Sequence, residues 1–223
     1  AQLIRNNKYD HVVVIGCDTV SDFVLYGFQS LFAISDLPCK PFSAERKGIT
    51  LGEGAATIIM SKEKDLFSSS PLKYLSGSSS NDANHISGPS RTGEGLVRTI
   101  TRTMEGSSVS ISDIDFISAH GTGTLYNDEM ESIALDRMKL NNVPTNSLKG
   151  YYGHTLGAAG VIETVVSMQC LRNNYIIKSL GFDEQGTSCK MNVIKENHEK
   201  EINIVLKTAS GFGGCNASVL LSK

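Results

Sequence analysis

Residues 116–124 have the sequence FISAHGTGT, and the rest of the chain is organised around this segment. The apolar start predicts a short buried strand, and the Gly/Thr segment after it predicts a loop that carries His120. A helix is predicted to begin near Asn127. Open α/β sheets place reactive side chains at the carboxyl ends of their strands. His120 is therefore the first candidate for a functional residue.

A second histidine stands in a similar setting. Residues 144–154 are PTNSLKGYYGH, so Lys149 precedes His154 by five positions. His154 leads into a predicted helix whose first turn contains the small residues GAAG at 157–160, which permit close packing or the close approach of a ligand. A third segment, residues 208–216 (TASGFGGCN), predicts a glycine-rich turn between two apolar strands.

These segments together resemble the C-terminal half of a β-ketoacyl-acyl carrier protein synthase. The resemblance runs from about residue 1 to residue 223, and its blocks follow the family's order. It implies an α/β protein with the thiolase-like, layered α/β/α/β/α fold. Residues 1–65 would be the end of the N-terminal half and residues 66–223 the C-terminal half. The matching blocks are His120-Gly-Thr-Gly-Thr with Asp128 and Glu131, Lys149-x4-His154 with residues 157–160, residues 211–214 with Asn216, and residues 39–42 with residues 52–55.

Composition narrows the class of protein. The 223 residues are 40% hydrophobic, which is ample for a packed core, and the formal net charge is −2. This charge gives no global electrostatic case for nucleic acid, and no apolar segment approaches the length of a membrane span. The five cysteines contain no C-x-x-C pair, which argues against a disulfide framework and a zinc ribbon. We expect a cytoplasmic protein with no nucleic-acid or membrane partner, in which most cysteines are buried.

The first residues predict that a portion of the enzyme precedes this chain. Residues 1–7 resemble the end of a helix without a start signal, and residues 9–15 (YDHVVVI) predict a strand buried on both faces. The family's nucleophilic cysteine lies in an elbow shortly before the matching helix, and this sequence has no such elbow. We expect that cysteine upstream and the isolated fragment to be inactive. Cys17 is interpreted as a packing residue rather than a substitute nucleophile.

Alternating strands and helices are predicted along the remaining chain, which indicates the α/β class. A polar segment at residues 61–70 is the best candidate for the seam between the two halves. Predicted helices cover residues 22–33, 93–105, 128–140 and 156–171. Predicted strands cover residues 71–79, 144–148, 202–208 and 217–221, and residues 49–60 are predicted to form a strand pair or a bulged strand.

The reaction that the resemblance implies is a decarboxylative Claisen condensation by an acyltransferase. A malonyl thioester loses carbon dioxide, and the resulting enolate attacks an acyl group held on the cysteine. His120 and His154 would donate neutral imidazole N–H groups to the oxygen that becomes negative. Lys149 and Glu131 would form an ion pair that fixes His120. No cofactor is expected, because acyl carrier protein presents both substrates on its phosphopantetheine.

The resemblance also implies further site residues. The backbone N–H of Phe212 would complete an oxyanion hole with the cysteine, and its ring would gate the acyl pocket. Thr122 and Thr124 would bind the malonyl carboxylate or the pantetheine, and the loop of Ser87 would line the entrance. The substrate-binding residues implied in this way are Thr122, Thr124, Ser87, Gly211 and Gly213.

Ser210 and the His/His pattern resemble elongating synthases of fatty-acid, type II polyketide or aryl-polyene pathways. A homodimer or a ketosynthase heterodimer is expected. An alternative is a non-catalytic chain-length factor of such a heterodimer. The presence of both histidines and Lys149 argues against it, because an inactive subunit does not need these residues. A degradative thiolase with Cys215 as base is a further alternative.

Two alternatives concern the histidines themselves. They could be core residues that are satisfied by backbone partners, although two matching glycine-rich junctions argue against this. They could also bind a metal ion together with Asp128 and Glu131, which lie three positions apart on a predicted helix. Lys149 beside such a site would repel a cation. We expect no metal.

Overall fold

The structure is a computed structural model, and it describes residues 1–67 and 70–223. The helices are α1 (Gln2–Arg5), α2 (Asp22–Ser30), α3 (Glu94–Glu105), α4 (Leu125–Arg137), α5 (Lys149–Tyr152) and α6 (Ala159–Asn173). The strands are β1 (His11–Asp18), β2 (Gly54–Ser61), β3 (Lys73–Asn81), β4 (Phe116–Ser118), β5 (Thr145–Asn146), β6 (Tyr175–Ile176), β7 (His198–Glu199), β8 (Ile204–Gly211) and β9 (Cys215–Ser222).

The main sheet has five strands in the order β3-β9-β8-β4-β5. Strand β4 lies in the middle of its parallel part, with β5 on one side and β8 on the other. In this register Ser118 lies beside Asn146 and beside Lys207. The carboxyl end of β4 therefore delivers the next residues, including His120, between β5 and β8.

Helix α6 lies between this sheet and a second, antiparallel sheet formed by β1 and β2. A helix covered from two sides has no broad polar face, which explains the apolar character of residues 159–171. Helix α3 packs on β3 and β9 from the other side of the main sheet. Its Leu96 and Ile100 are completely buried, and the helix predicted at residues 93–105 is confirmed. The main sheet is thus covered by helices on both faces.

Several helices and strands begin or end at other residues than predicted, for local reasons. Helix α4 begins at Leu125, three residues before the predicted start, because the Thr124 side chain accepts a hydrogen bond from the Asn127 amide and caps the helix. Helix α6 begins at Ala159, since a short 3₁₀ turn, Leu156–Ala158, precedes it. The predicted strand at residues 49–60 is limited to β2. The glycine-rich turn between two strands is confirmed by the β8–β9 hairpin.

The prediction that the strand at residues 9–15 is buried on both faces is wrong. Strand β1 pairs with β2 and turns one face toward α6, while Val13 and Ile15 are 57% and 65% exposed on the other face. Cys17, at the end of this strand, is also exposed, so its interpretation as a packing residue is wrong. Cys39 and Cys170 are the buried cysteines, fewer than expected.

The predicted seam at residues 61–70 lies between β2 and β3, but Ser68 and Ser69 are outside the described residues. The division into residues 1–65 and 66–223 stays a prediction. In the described part of the chain, no helix combines the length and apolarity needed to cross a bilayer.

Candidate active site

Two buried carboxylates of α4 shape the loop that follows β4. Glu131 accepts hydrogen bonds from the backbone N–H groups of His120 (2.8 Å) and Gly121 (2.6 Å). Asp128 accepts from the N–H groups of Thr122 (2.9 Å) and, across the loop, Phe42 (2.7 Å). The carboxylates lie one helical turn apart and share a face, so they fix successive backbone amides of one loop. This loop holds His120 in a single position.

The second histidine is fixed by its own backbone and by its neighbours. The His154 N–H donates to the Thr50 carbonyl at 2.7 Å, and Gly153 before it has φ +75°. A side chain at Gly153 would meet the backbone of residues 50 and 51 within 3 Å, so glycine is required there. The Nδ1 atom of His154 accepts a hydrogen bond from the Leu156 amide at 3.1 Å.

The imidazoles of His120 and His154 meet edge to face, with ring centroids 5.0 Å apart. The Nδ1 atom of His120 lies 3.2 Å from the ammonium of Lys149, which can only donate. Because Nδ1 is an acceptor in both rings, a neutral imidazole carries its proton on Nε2 in each case. The site thus contains two Nε2–H donors next to each other.

Both imidazoles are kept neutral by their surroundings. Burial lowers the pKa of His120 well below the ordinary value, and the nearby charge of Lys149 adds to this shift. Burial likewise lowers the pKa of His154, again with a contribution from Lys149. Desolvation and a neighbouring cation both disfavour the imidazolium form. The donors are therefore uncharged near neutral pH.

A buried network of Lys149, Glu163 and Lys207, called here the lysine–glutamate network, lies behind the histidines. Lys149 Nζ is 2.5 Å from Glu163 Oε1, and Lys207 Nζ is 2.7 Å from Glu163 Oε2. The predicted ion pair between Lys149 and Glu131 is wrong, because the two oxygens of Glu131 are bound by the backbone amides of the His120 loop. Burial opposes the charge of Glu163, but the two ammonium groups outweigh it and keep its pKa below the ordinary value.

Glu163 and Lys207 were missed by the sequence analysis. Each is a charged residue inside an otherwise apolar element: Glu163 within VIETVV of α6, and Lys207 within NIVLKTAS of β8. A single opposite charge in each of two buried elements is a signal for a buried ion pair, since buried charges require partners. The spacing within either element carries no information about the other.

The β8–β9 turn carries Phe212, whose ring stacks on Phe28 of α2 with centroids 5.2 Å apart. The Phe212 side chain is 47% exposed and is not packed in the core. Gly213 has φ +77°, and its amide donates to the Ile86 carbonyl at 2.6 Å. The loop of Ser87 therefore braces the glycine-rich turn.

The two histidines open into a cleft with a volume of about 1070 Å³, called here the histidine cleft. Its walls come from β3, β8 and β9, the loop of Ser87, the end of α2 with the residues after it, the start of α4 with the residues before it, and the start of α6. Glu131 and Lys149 lie behind His120, and Gly213 also lies outside the lining. Thr122 and Thr124 share a hydrogen bond of 2.8 Å between their hydroxyls. The predicted site residues that line the cleft are His120, His154, Thr122, Thr124, Ser87, Gly211 and Phe212.

The carboxylates proposed as metal ligands do not join the histidines. Asp128 and Glu131 are directed at backbone amides, and each amide is a donor that competes with a cation. Within residues 1–67 and 70–223, no three His, Cys, Asp or Glu side chains form a group suited to a metal ion. Among the cysteines, Cys215 lines the histidine cleft, while burial raises the pKa of Cys39 to about 12.

Comparison with protein-family models assigns both parts of the chain. Residues 1–65 match the β-ketoacyl synthase N-terminal domain, and residues 74–183 match the β-ketoacyl synthase C-terminal domain. The chain belongs to the β-ketoacyl synthase family. Together the two matches cover the sequence blocks of His120 and His154 and the network residues Lys149 and Glu163.

Curated relatives agree with this assignment. The 3-oxoacyl-acyl-carrier-protein synthase 2 of Rhizobium meliloti (strain 1021) is 32% identical, over 100% of this chain and 56% of that protein. The chloroplastic 3-oxoacyl-acyl-carrier-protein synthase I of Hordeum vulgare is 30% identical, over 100% of this chain and 51% of that protein. The chain spans about half the length of the curated relatives it matches.

Solved structures confirm the thiolase-like α/β fold expected from the sequence. The ishigamide ketosynthase/chain length factor superposes with a TM-score of 0.93 at 29% identity, covering 100% of this chain and 56% of that one. A β-ketoacyl synthase from Burkholderia phymatum STM815 superposes with a TM-score of 0.94 at 27% identity, covering 100% of this chain and 57% of that one. This chain of the β-ketoacyl synthase family therefore has the family's architecture over the matched half.

Proposed function

We propose that the protein containing this chain is a β-ketoacyl-acyl carrier protein synthase that performs decarboxylative condensation. The observation that carries the proposal is the pair of neutral Nε2–H imidazoles, His120 and His154, whose rings lie 5.0 Å apart at one cleft. Two such donors suit an oxygen on which negative charge develops. The acyl group would be held on a cysteine that lies outside this chain.

The chemistry follows from where the electrons go. The bond between the malonyl carboxylate and the α-carbon breaks, carbon dioxide leaves, and the electron pair moves toward the thioester oxygen as an enolate. The Nε2–H groups of His120 and His154 stabilise that oxygen. The α-carbon then attacks the acyl thioester, a carbon–carbon bond forms, and the cysteine thiolate leaves. Donors positioned in advance lower the barrier without reorganising during the reaction.

Other cleft residues have supporting roles in this proposal. The linked hydroxyls of Thr122 and Thr124 would bind the malonyl carboxylate or the pantetheine arm. Ser87 and Gly211 would line the path of that arm. The Phe212 ring would gate the acyl pocket and its amide would contribute to an oxyanion hole, while Gly213 permits the turn.

The proposed partner is acyl carrier protein, which would supply both substrates on phosphopantetheine, so that no further cofactor is needed. Two structures support this and a dimeric assembly. One is a type II polyketide synthase acyl-carrier protein in complex with its ketosynthase, and the other is ketosynthase ApeO with its chain length factor ApeC from Xenorhabdus doucetiae. We propose a cytoplasmic homodimer or ketosynthase heterodimer in which the upstream portion of the enzyme completes the site.

The test is release of carbon dioxide from malonyl-acyl carrier protein by the complete natural protein. His120→Ala and His154→Ala are each expected to slow release about a hundredfold or more, since each removes one donor to the developing oxyanion. His198→Ala is the matched control, because His198 is exposed on β7 and lies outside the cleft lining. If the natural protein releases no carbon dioxide, the function fails and a non-catalytic chain-length factor is favoured. Release that persists unchanged in both histidine variants also contradicts the proposal.

A further inference from the structure

Lys207 is a second buried ammonium group behind the histidines. It lies on β8 with only 3% of its side chain exposed. Its Nζ atom is 2.7 Å from Glu163 Oε2, 3.3 Å from the Ser118 carbonyl and 3.4 Å from the Ala119 carbonyl. These two carbonyls belong to the residues directly before His120. Lys207 thus contacts both the end of β4 and the carboxylate that holds Lys149.

The surroundings of Lys207 Nζ favour its charged form. Its neighbours are the Glu163 carboxylate and three carbonyl oxygens, since Thr208 also accepts from it. All of these atoms are acceptors, and a neutral amine would direct its lone pair at one of them. Burial lowers the pKa of Lys207, and the charge of Glu163 opposes that shift.

Two lysines share one carboxylate in this network. Oε1 of Glu163 contacts Lys149 and Oε2 contacts Lys207, so the three side chains together carry one excess positive charge. Burying a charge is costly, and one ammonium would be enough to neutralise Glu163. A second buried lysine is therefore not explained by the charge balance of Glu163 alone.

We propose that Lys207 is a positioning residue for decarboxylation, which anchors Glu163 and the carbonyls of Ser118 and Ala119 so that Lys149 remains against Nδ1 of His120. The inference rests on the proposed function. Without Lys207, Glu163 can turn one oxygen away from Lys149, and the backbone that delivers His120 loses a donor. The Nε2–H group of His120 is then less well directed at the substrate.

Lys207 also contributes to the electrostatics of the histidines. Charged and titratable groups face it from several elements: Glu163 from α6, Lys149 from α5, Glu131 from α4, and the two histidines at the cleft. Burial lowers the pKa of both imidazoles most, the charge of Lys149 comes next, and the charge of Lys207 adds a smaller contribution in the same direction. Removing it raises those pKa values. At low pH the rate falls because the imidazoles become protonated. This acid limb of the pH–rate profile then moves to higher pH.

The experiment compares Lys207→Met and Lys207→Gln with the unsubstituted complete protein, using malonyl-acyl carrier protein as the probe. Carbon dioxide release is measured between about pH 5.5 and pH 8.5, the range in which histidines titrate. We expect kcat to fall about tenfold or more at neutral pH, as for the loss of a hydrogen bond to a charged group, with KM changed by less than about twofold. The acid limb should move to higher pH. Lys190→Met, at an exposed lysine, is the matched control.

The outcomes separate this inference from the proposed function. If the unsubstituted protein does not release carbon dioxide, the proposed function fails and the inference fails with it. If it does, and the Lys207 variants keep the unsubstituted rate and acid limb, only the role of Lys207 is overturned. The Gln variant, whose amide can still donate to the Ser118 carbonyl, decides the matter when the Met variant does not fold. If neither variant folds, Lys207 is a purely structural residue and the inference is overturned.

Discussion

The ammonium of Lys149 lies 3.2 Å from Nδ1 of His120, and this contact determines which nitrogen of that imidazole carries the proton. The same ammonium is 2.5 Å from the His120 carbonyl and 2.5 Å from Glu163. Lys149 therefore fixes the ring, the backbone and the charge of His120 together. The carboxylate that holds Lys149 is Glu163 and not Glu131.

The first prediction tests this choice of partner by double-mutant cycles. Lys149→Met combined with Glu163→Gln should show a coupling of about 1–3 kcal/mol in the free energy of unfolding, because the two charges touch in a buried site. Lys149→Met combined with Glu131→Gln should couple less strongly, because these two side chains meet only through the backbone of His120. Urea unfolding of the single and double variants provides the measurement. A larger coupling to Glu131 would contradict the network.

The second prediction concerns the backbone of the His120 loop. Gly121 has φ +42°, and a Cβ there would lie 2.5 Å from the Ser147 Cβ and 2.7 Å from the Phe42 ring. Gly121→Ala should lower the free energy of unfolding by about 2–4 kcal/mol through backbone strain and overpacking. Gly27→Ala is the control on exposed α2, where nothing lies within 4 Å, and it should raise stability by about 0.5–1 kcal/mol. Equal effects of the two substitutions would contradict this account of the loop.

The sequence predicted the parts of this site that lie within one segment. The junctions of His120 and His154 are local patterns of a strand, small residues and a helix, and the structure has them at the expected places. The lysine–glutamate network joins α5, α6 and β8, which lie apart in the chain, and only the fold brings them together. The family resemblance implied Glu131 as the partner of Lys149. In the structure, Glu131 instead accepts hydrogen bonds from backbone amides.

Burial was also hard to predict where it depends on neighbours. The apolar residues of β1 indicated a strand buried on both faces, yet Val13 and Ile15 are exposed, because β2, α6 and the turn Leu156–Ala158 leave one face of this strand open in the described part of the chain. A period-two pattern shows which residues share a face, and a continuous apolar run shows nothing about what covers either face. Helix α6 is the opposite case, since two sheets contact it and its completely buried positions include the polar Glu163 and Ser167.

The third prediction concerns stability against pH. The pKa of folded His154 is depressed below its ordinary value of 6.5, so a proton binds more tightly to the unfolded chain. Stability is therefore lost as the pH falls below about 6.5, by up to about 1.4 kcal/mol per pH unit for each such histidine. Between about pH 7 and pH 5, His154→Asn should lose up to about 2 kcal/mol less stability than the unsubstituted protein. If urea unfolding shows equal losses of stability in the two proteins, the pKa of folded His154 is not lowered.

The fourth prediction separates the ring of Phe212 from its backbone. Phe212→Ala keeps the amide but removes the ring that stacks on Phe28. Condensation with a long acyl chain should fall about tenfold or more, as for a lost pocket contact, while malonyl decarboxylation changes by less than about threefold. Rates of product formation and of carbon dioxide release are compared in one preparation. An equal fall in both rates would contradict a gating role for the ring.

Nitrogen-15 NMR shows whether His120 and His154 are neutral imidazoles with the proton on Nε2. In protein labelled on histidine, we expect two side chains that remain neutral near pH 7 and at about pH 6, each with a protonated Nε2 and a bare Nδ1. His120→Ala and His154→Ala assign the two signals. An imidazolium signal from His120 or His154 near neutral pH, or a proton on Nδ1 of either ring, would show that the two rings are not the Nε2–H donors proposed here.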